Sequence, residues 1–175
     1  MFRFFHAVFL LLLATTATQA QVSILGSATN PDNGHLYHIL TNSTWTDAEA
    51  FAVSLGGHLV TINNVAENTW VANTFSQYGS INRALWIGIN DAAIEGTFVW
   101  SSGEAVTYTN WAPGEPNNAG GNEDYGYIIQ PGNPTPLWPM WNDFPNTPDS
   151  NGIVEIAAAM TYWQRTRSRK RSLTM

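Results

Sequence analysis

The chain has 175 residues, a formal net charge of −6 and no cysteine. Without cysteine it has no disulfide framework, so its fold must depend on a hydrophobic core and on any metal that it binds. Thirteen acidic residues and a single basic one, Arg83, lie between positions 21 and 163, which argues against nucleic acid or an anionic membrane as the ligand. The length suits one compact domain.

The first twenty residues have the features of an export signal. Arg3 precedes an apolar run at 7–13, and small residues in Thr18-Gln19-Ala20 suit cleavage after Ala20. The apolar run is shorter than the ~20 residues that a membrane-spanning helix needs, although an uncleaved anchor is an alternative. We therefore expect a secreted, extracellular or periplasmic protein with no transmembrane span in the mature chain, which begins with an N-terminal segment at 21–33.

The first elements predicted after this segment are a strand and a helix. The turn residues Asp32-Asn33-Gly34 precede a strand at 35–40. Thr46 and Glu49 have the spacing of a capping box, and apolar residues follow at helical spacing. Gly56-Gly57 is expected to end this helix.

A second strand and a second helix follow. The strand is predicted at 58–62, and Asn64 with Glu67 is expected to open a helix at 65–75. Further strands are predicted at 84–89 and 97–100.

The segment 101–151 has little regular periodicity. A loop of this length in a compact domain is usually functional or disordered, and its aromatic and ligand-type residues favour function. Strands are predicted at 125–129 and 152–156. The predicted class is α+β, with two helices packed on small antiparallel sheets and a long loop ordered by metal.

Acidic residues are concentrated in and just before this loop, without any Lys or Arg between them. They are Asp91, Glu95, Glu104, Glu115, Glu123, Asp124 and Asp143. Several adjoin side-chain amides, as in Glu115-Pro116-Asn117 and Trp141-Asn142-Asp143. Carboxylate and amide oxygens are the ligands that Ca²⁺ takes six to eight at a time, so the pattern predicts bound calcium.

Five short motifs in order resemble the C-type lectin-like domain over residues 34–156. They are Leu55-Gly56-Gly57-His58-Leu59, Trp86-Ile87-Gly88-Ile89, Glu115-Pro116-Asn117, Trp141-Asn142-Asp143 and Val154-Glu155-Ile156. The resemblance implies the fold of that family and a non-enzymatic, calcium-dependent carbohydrate-binding function, with glycans or glycoconjugates as partners. The Glu-Pro-Asn triplet implies mannose-, glucose-, fucose- or N-acetylglucosamine-type sugars.

The resemblance also implies two calcium sites. The principal calcium and the sugar would share the ligands Glu115, Asn117, Glu123, Asn142 and Asp143, with a cis peptide bond at Pro116. An auxiliary calcium would use Asp91, Glu95, Asn118, Glu123 and Asp124. A calcium that only orders the loop of a protein-binding or adhesion module is the alternative function, and a glycosidase based on Glu115 and Glu123 is a weaker one.

This chain departs from the family pattern in two respects. The usual disulfide positions are filled by Ala52 with Val154, and by Tyr125 with Asn146. The stretch 130–140 is longer than usual before Trp141. Its Trp138 is expected either to form one wall of the sugar-binding site or to pack on the loop.

The remaining charged residues are given structural interpretations. His35, His38 and His58 have no second metal ligand nearby in sequence, so we interpret them as surface or core residues. The tail at 157–175 contains five of the seven basic residues and is expected to be a solvated, disordered segment, with binding to an acidic surface as the alternative. The sequence leaves the oligomeric state open.

Overall fold

The computed structural model describes residues 21–132 and 137–158. The two helices are α1 (Trp45–Ser54) and α2 (Val65–Phe75). The eight strands are β1 (Ile24–Thr29), β2 (Leu36–Ser43), β3 (His58–Leu59), β4 (Leu85–Asn90), β5 (Val99–Trp100), β6 (Tyr125–Ile128), β7 (Trp141–Phe144) and β8 (Ser150–Ile156). None of the helices in these ranges is long and apolar enough to cross a membrane. The predicted export signal and most of the basic tail lie outside the described residues.

The strands form one mixed sheet in the order β1-β2-β8-β4-β6-β7, with β3 added beside β8 and β5 beside β4. The pair β4 and β8 is parallel, whereas the other pairs are antiparallel. The α+β class with two helices is confirmed. The strands join in a single sheet rather than in separate small ones, because β8 pairs with both halves of the domain.

Strand β1 lies within the segment 21–33, for which the sequence predicted no element. It pairs with β2, for example through Ala28 opposite Tyr37. The segment contains Ser and Gly between its apolar residues, so it lacks the regular alternation of a half-buried strand. Pairing with β2 therefore determines this strand more than its own pattern does.

The N-terminal cap of α2 is the residue predicted from the sequence, whereas the cap of α1 differs from the prediction. Asn64 accepts a hydrogen bond from the Glu67 backbone N–H at 3.0 Å, as predicted. The cap of α1 is Thr44, whose Oγ1 accepts from the Asp47 N–H at 3.1 Å; the predicted cap at Thr46 is wrong. The carboxylate of Glu49, expected to complete the Thr46 box, instead accepts from the Leu59 N–H at 2.7 Å.

The core contains the tryptophan of the motif that precedes the candidate ligands. Trp141 is fully buried, and its ring packs edge-on against Trp100 at 5.8 Å and against Trp111 at 5.7 Å between ring centroids. Its Nε1 donates to Asn68 Oδ1 at 2.7 Å. Because Trp141 is held on both sides, the next two residues of β7, Asn142 and Asp143, have defined positions.

The positions that usually carry disulfides are filled by packing and hydrogen bonds. Ala52 and Val154 are fully buried in one apolar cluster. Tyr125 packs on Trp45 at 4.8 Å between ring centroids. Asn146 accepts from the Thr46 N–H at 3.3 Å and donates to its hydroxyl at 3.0 Å. These contacts connect α1 to β6, β8 and the segment after β7 without a covalent bond.

A buried polar cluster connects α2 to β8. The Tyr37 hydroxyl lies 2.7 Å from Glu67 Oε1 and 3.0 Å from Glu155 Oε1, and its one proton can serve only one of them. Burial, as the main cause, raises the pKa of Glu67. His35 Nδ1 lies 2.6 Å from the same Glu155 oxygen.

His38 and His58 have similarly local partners. His58 Nδ1 lies 2.7 Å from Glu49 Oε1, and His38 Nδ1 lies 2.6 Å from Ser27 Oγ. Each ring contacts a single polar side chain through this nitrogen, which suits the structural interpretation of these residues.

Gly88 provides a test of packing between β3, β4 and β5. A Cβ at this position would lie 2.5 Å from the Leu59 carbonyl oxygen and 2.9 Å from Ser101 Oγ. Since backbone cannot move aside cheaply, we expect Gly88→Ala to destabilise the fold by about 2 kcal/mol. Urea unfolding would measure this change, with exposed Val53→Ala as the control; an unfolding free energy equal to that of the control variant would contradict the packing described.

Candidate metal and ligand site

The loop that carries the Glu-Pro-Asn triplet is attached to β7 by one carboxylate. Both oxygens of Asp143 accept from the Asn117 N–H at 3.1 Å, and Oδ2 also accepts from the Asn118 N–H at 2.8 Å. Asp143 is 1 % exposed. Asp143, two residues after the core residue Trp141, thus brings residues 115–118 beside β7.

A second carboxylate closes the same loop. Glu123 Oε2 accepts from the Ala119 N–H at 2.6 Å, and the Glu123 N–H donates to Asn118 Oδ1 at 3.0 Å. Asn118 has a left-handed backbone with φ 47°, a conformation that Asn tolerates better than most residues. Loop residues 118–123 therefore fold around the Glu123 side chain.

Two further acceptors at this site are buried without a donor. The peptide bond between Glu115 and Pro116 is cis, as the resemblance implied. Glu115 Oε2 and Asn142 Oδ1 are both buried and have no hydrogen-bond partner. Unpaired buried acceptors are costly, and a cation bound between them would remove that cost. The donor set therefore fits a hard, oxygen-liganded ion such as Ca²⁺.

The pKa values of Glu115 and Glu123 are raised, mainly by burial. Burial, followed by the charges of Asp143 and Glu123, raises the pKa of Glu115. Burial and the charge of Asp143 likewise raise the pKa of Glu123, against a hydrogen bond from the Ala119 N–H. Within the described residues the salt bridges involve His35 and His58 only. The site is thus an uncompensated cluster of negative charge.

The arrangement is not a finished coordination shell. Over residues 21–132 and 137–158, no group of three or more His, Asp or Glu side chains is placed closely enough to hold a metal ion. Asp143 and Glu123 are turned toward backbone N–H groups instead. A carboxylate has about four lone-pair positions on its two oxygens, so these bonds leave further positions for an ion.

Among the residues expected at the auxiliary site, Glu95 and Asp124 lie close enough to Asp91 for their charges to act on it. The Asp91 side chain is 3 % exposed; its Oδ2 accepts from the Gly96 N–H at 2.7 Å, and its Oδ1 is buried without a partner. Burial is the main cause of the raised pKa of Asp91, and the charges of Glu95 and Asp124 raise it further. Asn118 belongs to the same loop, but its Oδ1 already accepts from Glu123. Asp91 Oδ1 is thus the acceptor at this place that a cation could satisfy, whereas the Asn118 oxygen already has a donor.

Trp138 lies against α2 rather than beside the candidate ligands. Its Nε1 donates to Ser76 Oγ at 3.4 Å, at the carboxyl end of the helix. The next residue, Pro139, accepts from Asn68 Nδ2 at 3.1 Å through its carbonyl oxygen. These contacts favour the packing interpretation of Trp138 over a sugar wall. Residues 133–136 of the same stretch lie outside the described part of the chain.

Tyr127 is a site residue that the sequence did not indicate. It lies opposite Asn142 in the pairing of β6 with β7, and its hydroxyl accepts from Asn142 Nδ2 at 3.4 Å. This contact turns the amide oxygen away from the tyrosine. The alternation of Tyr127 and Ile129 predicted a strand at 125–129 but gave no indication of its partner, because register depends on the whole sheet.

Comparisons with a family model and with related sequences indicate the same family. The lectin C-type domain family model matches residues 41–153. Lectin BRA-3 of Megabalanus rosa is 35 % identical over 127 residues, which cover 70 % of this chain and 75 % of that protein. A C-type lectin mannose-binding isoform of Oxyuranus scutellatus is 34 % identical over 123 residues, covering 66 % and 72 %.

A solved structure agrees with both sequence matches. The C-type lectin CEL-I from Cucumaria echinata superposes with a TM-score of 0.64 and 30 % identity, covering 74 % of this chain and 93 % of that one. The chain belongs to the C-type lectin domain family. This is a family of non-enzymatic carbohydrate-binding domains, and the prediction that the chain is not an enzyme is confirmed by its membership.

Proposed function

We propose that this chain is an exported domain that binds carbohydrate through calcium, with a preference for mannose-type sugars. The observation that carries the proposal is the pair of buried acceptors, Glu115 Oε2 and Asn142 Oδ1, that have no donor within a cluster of like charge. The preference for mannose, glucose, fucose or N-acetylglucosamine is supported by the triplet Glu115-Pro116-Asn117 and by the mannose-binding relative.

Five side chains would hold the principal ion and the sugar. They are Glu115, Asn117, Glu123, Asn142 and Asp143. When bound, calcium supplies direct coordination to two neighbouring sugar hydroxyls. Each carboxylate can accept a hydroxyl proton with a lone pair that the ion leaves free, and each amide can donate from its nitrogen while its oxygen faces the ion.

A second ion is proposed at the set Asp91, Glu95, Asn118, Glu123 and Asp124. Asp91 Oδ1 is the unpaired buried acceptor that supports it. Since Glu123 belongs to both sets, the two ions would be coupled through one side chain. The auxiliary ion would stabilise the loop that carries Asn117 and would not contact sugar.

Sugar binding should be lost in acid. Burial and neighbouring charge raise the pKa values of Glu115 and Glu123, and a protonated carboxyl cannot bind calcium. We expect the protein to be retained on a mannose resin in calcium at neutral pH and to elute by about pH 5. EDTA at neutral pH should elute it equally well, whereas retention in EDTA would place sugar binding outside this site.

One observation favours a second function. Asp143 and Glu123 hold loop backbone through N–H groups, as expected if metal served only to order the loop of a protein-binding module. A glycan array with and without chelator separates the two functions. Chelator-sensitive signals on mannose-type glycans support the lectin, and an array without such signals supports the protein-binding module.

A further inference from the structure

Two adjoining clefts lie at the end of β8 and together form a groove. The larger has a volume of about 280 Å³ and the smaller about 140 Å³, and both are lined by His35, Glu104 and Glu155. The described lining of the groove includes none of the candidate calcium or sugar ligands. We propose that the basic segment 165–171 of this same chain binds in the groove, independently of any sugar binding.

The groove is lined by acidic side chains. They are Asp32, Glu67, Glu104 and Glu155. Its described lining contains neither Lys nor Arg. The one basic residue between positions 21 and 163, Arg83, is bound elsewhere, since it donates to Asn151 Oδ1 at 3.1 Å and to the Tyr78 carbonyl oxygen at 3.2 Å. A cleft lined by one sign of charge concentrates groups of the opposite sign.

Two of these carboxylates are accessible to a cationic side chain. Asp32 and Glu104 are exposed, and within the described ranges neither takes part in a salt bridge. Glu104 Oε2 accepts from Asn63 Nδ2 at 3.5 Å, which is long for a hydrogen bond. An arginine at either carboxylate would form a charge-assisted and therefore stronger hydrogen bond.

The chain itself provides a complementary segment that begins at the groove. Ala157, the residue after β8, lines the smaller cleft. Residues 159–175 lie outside the described part of the chain, and their basic residues are at positions 165, 167, 169, 170 and 171. An extended segment places every second side chain on the same side. Four of the five basic side chains would then face the groove together.

The connection is long enough for the segment to return to the groove. Arg165 follows Ala158 by seven residues, which span at most roughly 23 Å. A short flexible connection gives an effective concentration on the order of millimolar, so ion pairs that are individually weak can populate the bound state. Because the contacts are between exposed charges, we expect the interaction to be reversible and sensitive to salt.

The test uses the full chain with a nitroxide label on Ser172→Cys. The chain has no native cysteine that would take a second label. We expect the label to broaden the NMR amide signals of groove residues such as Thr61, Asn64 and Ser102, while signals from outside the groove keep their intensity. At about 1 M salt the screening length falls to ~3 Å, and the broadening should disappear.

Substitutions on both sides of the contact sharpen this test. Replacing the five basic residues of 165–171 by Gln should abolish the broadening. Glu104→Gln should lower the bound population roughly twofold, as expected for the loss of one exposed ion pair. The matched control is Asp149→Asn, which removes the same charge from an exposed residue outside the groove and should leave the broadening unchanged.

Three results would overturn the proposed contact. They are the absence of broadening in the groove, equal broadening after the five basic residues are replaced, and broadening that extends over the whole acidic surface. A fourth comes from mixing spin-labelled chains with isotope-enriched chains that carry no label. Groove signals that broaden in this mixture as much as in the labelled chain itself would mean that the segment binds a second copy instead. None of these results bears on calcium-dependent sugar binding.

Discussion

The double substitution Glu115→Gln with Asn117→Asp should abolish mannose binding and leave calcium binding in place. It keeps one carboxylate and one amide beside the ion, so the charge at the site is unchanged. It exchanges the positions of the acceptor and the donor, which reverses the hydrogen bonds offered to a pair of sugar hydroxyls. Two mismatched bonds cost about 1–3 kcal/mol each, so the mannose affinity should fall at least thirtyfold, by about 2 kcal/mol or more.

The matched control for this variant is Glu104→Gln with Asn63→Asp. These exposed side chains lie 3.5 Å apart and neither is a candidate ligand, so the same exchange of chemistry there should leave mannose binding unchanged. Some affinity for galactose, whose 4-hydroxyl is axial, is expected in the Glu115/Asn117 variant. If that variant bound mannose as tightly as the parent, the sugar would have to lie elsewhere.

Calcium should stabilise the fold by an amount visible in thermal unfolding. At an affinity of ~10⁻⁴ M, millimolar calcium contributes about 1.4 kcal/mol per site by mass action. This corresponds to a rise in melting temperature of roughly 5 °C for each site in a domain of this size. Glu123→Gln should remove most of the rise because Glu123 belongs to both proposed sites, whereas Glu104→Gln should keep it.

The stabilisation by calcium should also depend on pH with a definite sign. In the metal-free protein, burial raises the pKa values of Asp91, Glu115 and Glu123 above their ordinary values of 3.8 and 4.5. The folded state then binds protons more tightly than the unfolded chain. The stability that this tighter proton binding contributes is fully present at pH values below the ordinary pKa values. It is lost as the pH rises through the raised pKa values.

Calcium reverses this trend because its ligands must be ionised. The difference in melting temperature between calcium and EDTA should therefore widen between about pH 4 and pH 7. Glu67 also has a raised pKa. Its effect on stability is the same in calcium and in EDTA, so it largely cancels in the difference between the two melting temperatures. A difference of zero at every pH would mean that no ion binds to the folded state.

The sequence predicted the helices well because their patterns are local. The start of α2 follows from the cap residue Asn64 and from Glu67 three residues later. The start of α1 was misplaced because Thr44 with Asp47 and Thr46 with Glu49 both have capping spacing. Glu49 is instead bound by the Leu59 N–H and by Ser101 Oγ, and these contacts between distant residues determine which threonine caps the helix.

The candidate ligands were predictable from short motifs, whereas their neighbours were not. Asp143 follows a recognisable tryptophan, but its bonds to Asn117 and Asn118 join residues about 25 positions apart and depend on the path of the loop. Tyr127 was missed for a similar reason: only the register between β6 and β7 places it beside Asn142. Local pattern thus identifies the chemistry of the site, and tertiary pairing determines which groups support it.

The most direct test of the central claim is calorimetric titration of calcium into the protein with and without saturating methyl α-mannoside. If the sugar completes the coordination of the principal ion, calcium must bind more tightly when the sugar is present, and the sugar must bind more tightly by the same factor when calcium is present. We expect this mutual tightening, with no sugar binding in EDTA. An unchanged calcium affinity, together with sugar binding in EDTA, would contradict the account.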